Sequence, residues 1–280
     1  MKKIIFVFTL LSFNLTVAQY DFNNKTEVAV FNMISSGFVG GIGAMINNKE
    51  EQNLFKRFYK GFYKGTISGL VIYSGKEMIS NYSKTNNYTY LWGSKMLVFT
   101  GVSMLENTVN NKKLFENLHF NIAFVRFDMN TNNFKIKPKI MPVSLGISLW
   151  LATKYKVDYK LSLYSGNIVF WGKRKNAYGT AIGNNILISR YSKKYPIELV
   201  MSHEMIHVYQ LNFFSSLNTF YFNAEKKLFG NSKFYQTYSR CFYTDYNKIS
   251  FSSVYQLTTF YVGKKNKNIF ESEAYYLMDK

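Results

Sequence analysis

The stretch LVMSHEMIHVYQLNFF, residues 199–214, sets His203 and His207 four residues apart around Glu204, in a chain with only three histidines. On an α-helix, residues i and i+4 share a face, so the two imidazoles converge on a common point. A tetrahedral metal such as zinc takes nitrogen and oxygen ligands at about 2 Å, and a helix supplies two of them rigidly at this spacing. Glu204 is badly placed to ligate but reaches a water at the open coordination position. There it can take a proton and hand it to a leaving amine. An ordinary helix with two histidines has the same spacing. Leu199, Val200, Ile206 and Val208 argue against that reading, because unpaired imidazoles and a carboxylate are costly to bury in an apolar helix.

A third ligand is needed, and no histidine follows His207. The metzincin pattern is excluded, since Gln210 and Phe213 stand where it requires Gly and His. The downstream carboxylates are Glu225, Asp245, Glu271, Glu273 and Asp279. Glu225, in NAEKKLFG, is flanked by lysines and reads as solvated. Glu271 and Glu273, in NIFESEAYY, lie among apolar and aromatic residues, where a carboxylate needs a partner. One of them is expected to ligate and the other to hydrogen-bond a ligand histidine. Glu271 is the first choice as ligand, with Glu273 as the alternative.

HEMIHVYQ followed by FESEAYY resembles the gluzincin division of zinc metallopeptidases. It is similar in particular to bacterial zincin-like domains that read H-E-x-x-H-V-x-Q with a later E-x-x-A. The resemblance covers roughly residues 179–280. It implies Zn2+ on His203, His207 and Glu271, Glu204 as general base, and a peptide or protein substrate. It further implies an edge strand above the active-site helix that pairs with extended substrate. Residues 179–189, with Gly179, Ile182, Gly183 and Asn184, are the candidate strand. Two departures stand out. Tyr275 occupies the position where thermolysin-like members carry an acid that orients a histidine. No residue is marked as the oxyanion donor, although Tyr255, Tyr261 and Tyr276 are candidates.

The N-terminus, MKKIIFVFTLLSFNLTVAQ, joins Lys2 and Lys3 to an apolar run that closes on the small-x-small triplet Thr16-Val17-Ala18. This reads as a signal peptide over 1–19, with export to the periplasm, cell envelope or medium. The lone Cys241 makes no internal disulfide, so the fold must hold without one. The net charge is +19, and losing Lys2 and Lys3 lowers it to +17. The lysines are scattered and no nucleic-acid motif accompanies them, so nucleic acid is not an expected partner.

Residues 28–48 carry no charge, and Gly37 and Gly41, then Gly61, Gly65 and Gly69, recur every four residues. Such a stripe lets helices approach closely. We read residues 20–110 as a glycine-rich helical region packed as a layer, with membrane association through these helices left open. After Asn110, HFNIAFVRFDMN, NFKIKPKIMPV, KYKVDYKLSLYSGNIVFWGK and YGTAIGNNILISR read as strands of a mostly antiparallel sheet, while LGISLWLATKYK suits a short helix or a strand. From Pro196 the pattern returns to helix. The expectation is an α+β fold: a signal peptide at 1–19, the helical region at 20–110 and a zincin-like part at 111–280, the last two forming one unit. The expected function is a metallopeptidase-like hydrolase. The competing one is a non-catalytic envelope protein with structural zinc.

Overall fold

The structure, a computed structural model, describes residues 20–48, 53–173, 177–189, 195–263 and 268–278. The signal segment at 1–19 and Asp279 lie outside the described residues. Three helices come first: α1 (Lys25–Ile46), α2 (Leu54–Thr85) and α3 (Thr89–Val109). Asn24 caps α1 by accepting from the Glu27 N–H, and α2 ends on Asn86 in the left-handed region. A Cβ on Gly61 would stand 2.5 Å from the Gly40 carbonyl, and those of Gly65 and Gly69 would run into the carbonyls of Ser36 and Asn32. Only glycine fits two backbones this close. Gly65→Val should therefore lower stability by about 1–3 kcal/mol, the usual cost of overpacking. Thermal unfolding checks this, and an unchanged midpoint would contradict the packing. Among the described residues, α1 is the helix long and apolar enough to cross a membrane, and 44% of its apolar window is buried inside the protein.

Strands β1 (Asn117–Ile122), β2 (Val125–Asn130) and β3 (Lys135–Ile140) form an antiparallel meander. Then follow α4 (Pro142–Ala152), β4 (Lys156–Asp158), α5 (Tyr159–Ser165), β5 (Ile168–Gly172), β6 (Gly179–Ile182) and β7 (Asn185–Ser189). The second sheet has the order β4-β5-β7-β6, with β5 and β7 parallel and the other pairs antiparallel. The fold is α+β with mostly antiparallel strands, divided between two sheets instead of one.

Two segments differ from the strand reading. Residues 154–173 are interrupted by α5, because the Asp158 side chain caps the Leu161 N–H and Gly166, at φ +63°, ends the turn. The ambiguous LGISLWLATKYK resolves mainly into α4. Pro142 opens that helix, and the Asp245 carboxylate accepts from the N–H groups of Val143 and Ser144.

The C-terminal part contains α6 (Ile197–Phe213), a 3-10 turn (Phe214–Leu217), α7 (Asn218–Phe229), α8 (Lys233–Cys241), α9 (Asn247–Val262) and α10 (Ile269–Met278). Pro196 stands at the cap of α6, just ahead of its first turn. Every residue from 200 to 212 is buried, so α6 is a central helix covered on all sides. It packs on α2, α3, α9, α10, β6 and β7. One apolar core runs from Val28, Ile72 and Val98 through Val169 and Ile186 to Met201, Ile206, Ile269 and Leu277. The candidate site is therefore built into the core and inherits its rigidity.

Candidate metal centre

The i, i+4 spacing on α6 brings His203 Nε2 and His207 Nε2 to 3.1 Å. Glu271 Oε2, from the first turn of α10, lies 3.3 Å from His203 Nε2 and 3.5 Å from His207 Nε2. Tetrahedral ligands about 2.05 Å from a zinc ion are about 3.3 Å from one another, so these separations match the edge of such a tetrahedron. These three residues could hold a metal ion. His207 Nδ1 lies 2.8 Å from Gln210 Oε1, an acceptor, so Nδ1 carries a proton and Nε2 is the ring atom left to face the common point. The donor set of two imidazole nitrogens and one carboxylate oxygen suits zinc.

Residues two apart on a helix point in nearly opposite directions, so Glu271 and Glu273 cannot both face α6 in the same way. Glu271 takes the ligand position, and the hydroxyl of Tyr255 on α9 donates to its other oxygen. Glu273 is not an alternative ligand. Its carboxylate receives Lys76 Nζ at 2.8 and 2.9 Å, Asn32 Nδ2 at 2.6 Å and Gln210 Nε2 at 2.9 Å. It supports His207 only through Gln210. A buried chain thus runs from Lys76 on α2 through Glu273 and Gln210 to His207. Gln210 was legible as the last letter of H-V-x-Q, but its role follows from the partners it bridges.

Glu204 is buried beside the two histidines, against β6. The Ala181 N–H donates to its carboxylate, and a Cβ on Gly179 would sit 2.6 Å from its Oε1. Burial pushes the Glu204 carboxyl above its ordinary value and Glu271 adds to this, while His207, His203 and the Ala181 N–H oppose. A carboxylate so raised is a better proton acceptor than one in water.

β6 is one of the two edge strands of its sheet, and Gly179 and Ile182 are its two ends. Gly183, at φ +64°, makes the hairpin turn. Asn184 does not belong to the edge. The turn folds it inward, where it is buried and accepts from Asn212 Nδ2 and Lys248 Nζ.

The three candidate ligand residues line a cleft of about 810 Å³, walled by β6 and by residues of α6, α9 and α10. Of the candidate donors, Tyr255 lines this cleft, whereas Tyr261 and Tyr276 do not. Burial, followed by the Glu271 charge, pushes the Tyr255 phenol far up, so it remains a neutral donor. Tyr275, which replaces the expected acid, lays its ring 4.6 Å from that of His203. His203 Nδ1 is buried without a hydrogen-bond partner among the described residues. The remaining histidine, His119, is buried beside Ser103, Glu106 and Arg126, away from this cleft. The chain matches no protein-family model, and neither the curated proteins nor the solved structures contain a match to it.

Proton competition gives the centre a defined pH response. Burial lowers the His207 value, but the hydrogen bond and charge of Glu271, then Glu204 and Gln210, outweigh it and leave it above 6.5. Burial raises Glu271, and the hydrogen bonds from His203 and His207 carry it well below 4.5 instead. The raised imidazole stabilises the metal-free fold below pH 6.5, and this contribution is lost as pH rises through the folded value. The depressed carboxylate stabilises above pH 4.5, and its contribution is lost on acidification. A metal must displace the His207 proton, so its apparent affinity should fall about tenfold per pH unit once pH drops below that folded value. Chelator competition at a series of pH values measures this, and a flat profile down to pH 5 would contradict the cluster.

Proposed function

We propose that the chain is an exported zinc-dependent hydrolase of peptide or amide bonds, of the gluzincin type. One observation carries the reading: His203, His207 and Glu271 hold three ligand atoms 3.1–3.5 Å apart at the wall of an open cleft, with Glu204 and an edge strand beside them. Zinc, when bound, would supply Lewis acidity, lowering the pKa of a water and polarising a carbonyl. Glu204 accepts the proton and delivers it to the leaving nitrogen. The edge of β6 offers backbone groups to an extended substrate and fixes its direction across the cleft. Gln210 and Tyr255 hold His207 and Glu271 in place.

A structural zinc site is closed by four protein ligands, whereas a catalytic one keeps a position open. Three ligands facing a cleft favour catalysis over the non-catalytic alternative. Metal analysis of the purified protein is expected to find about one zinc per chain, and Glu271→Ala is expected to lower affinity at least 100-fold, since one of three ligands is lost. A wild-type chain purified in the presence of zinc that retains none would end this reading. Hydrolysis of a mixed library of quenched peptides then tests turnover.

A further inference from the structure

The glycine stripe of α1 and α2 is spent on packing those helices together, since Gly61, Gly65 and Gly69 seat the backbone of α1. Apolar surface is left uncovered at the corner between α7 and α8. Leu228, Phe229 and Phe234 are 73%, 56% and 78% exposed there. Among the described residues, α7 buries only Asn218 and α8 buries none. A surface helix normally turns an apolar stripe to the core. α8 has the stripe without the cover: Phe234, Tyr238 and Cys241 recur at i, i+4 and i+7 on one face, with Lys233, Gln236 and Arg240 on the other. The ring of Phe242, which bridges to Ile140 at the end of β3, stacks on Tyr238 at 4.9 Å, and Tyr238 on Phe234 at 6.2 Å. The aromatic row therefore starts on the body of the protein and ends in solvent. The base of α7 is fixed as well, with the Phe222 ring 5.1 Å from that of Tyr243.

Charge decides what covers this corner. Lys226 and Lys227 precede Leu228, Lys233 precedes Phe234, and Arg240 stands in the last turn of α8. All four are exposed, and their side chains have no ion-pair partner among the described residues. Glu225 is the sole acid between residues 219 and 244, and its carboxylate accepts from the hydroxyls of Tyr235 and Tyr246. Exposed rings beside unpaired cations suit the interface of a bilayer with anionic headgroups, where acyl chains take the rings and phosphates the cations. A second copy fits poorly, because a symmetric contact would set the same cations against each other.

We propose that the corner between α7 and α8 is an interfacial anchor that seats the protein on an anionic membrane surface. Leu228, Phe229 and Phe234 enter the boundary between headgroups and acyl chains, and Lys226, Lys227 and Lys233 hold the lipid phosphates. The anchor stands independently of the metal centre and of the hydrolase reading.

The test uses residues 20–280, the form expected after export, and vesicles of phosphatidylcholine alone or mixed equally with phosphatidylglycerol. Co-sedimentation is expected to show at least about tenfold tighter binding to the anionic vesicles. Phe229→Ser combined with Phe234→Ser leaves the charge unchanged and should weaken that binding about tenfold or more, because two rings no longer leave water. If circular dichroism shows that this pair fails to fold, Lys226→Gln, Lys227→Gln and Lys233→Gln together replace it, with a loss of about tenfold or more expected. Insertion is read by an environment-sensitive fluorophore at residue 234, attached through Phe234→Cys in a chain carrying Cys241→Ser, the natural cysteine being the only one. Its emission should shift to the blue on anionic vesicles. Equal binding to both lipids, no binding to either, binding that survives the variants, or a label that stays in water on the bound chain overturns the proposal. Self-association that the serine pair abolishes, in a chain that ignores anionic vesicles, would assign the corner to a second copy and overturn it too.

Discussion

Glu204→Gln is expected to reduce peptide turnover by about 10²- to 10⁴-fold, the range over which a positioned acid–base group accelerates proton transfer. Zinc content should be unchanged, since the ligand atoms come from His203, His207 and Glu271. Gln keeps the shape of Glu and can still accept from the Ala181 N–H, but it cannot take up a proton at neutral pH. The loss should fall on kcat more than on KM, because the edge strand and the cleft wall are untouched. A variant with wild-type turnover would remove Glu204 from the mechanism and with it the gluzincin reading. A variant that also lost zinc would show that the carboxylate has a structural part in the centre.

Lys76→Met is expected to destabilise the fold by about 3–5 kcal/mol, which is the cost of stranding a buried carboxylate without its cation. Lys76 and Glu273 are nearly inaccessible, at 4% and 1% side-chain exposure, and join α2 to α10 through paired contacts of 2.8 and 2.9 Å. The remaining partners of Glu273, Asn32 and Gln210, are neutral and do not balance its charge. The thermal midpoint should drop by on the order of 10 °C. Replacing both partners, as in Lys76→Met with Glu273→Leu, should restore most of the lost stability, because no charge is then left unpaired. Zinc affinity separates a structural from a positioning role. Gln210 loses one of its two acceptors when Glu273 is removed and keeps the Phe270 carbonyl at 2.8 Å, so affinity should remain about 10-fold low even in the re-stabilised double variant. Single variants within about 1 kcal/mol of wild type would show that the pair does not tie the helices together.

Local patterns were readable where their geometry is local. The pair His203 and His207 needs only the helical repeat, and the glycines of α1 and α2 announce a close approach whatever they approach. The short helix α5 escaped because its residues look like those of a strand, and a cap at Asp158 with a turn at Gly166 overrides that texture. The resemblance marks a stretch as an edge strand without its turns, so Asn184, which the hairpin at Gly183 folds inward, is not separated from the edge by sequence.

The chain by itself therefore determined that two imidazoles and a carboxylate share one helix face, and that a later Glu-x-Glu would offer one carboxylate to them. Which of the two turned to the histidines was decided by the tertiary structure. Glu271 and Glu273 point to opposite sides of α10, and the side that finds Lys76, 197 residues away, leaves the other to face His203 and His207. Spacing along a helix is set by backbone geometry, whereas the partner of a buried charge is set by whichever long-range neighbour removes its desolvation cost.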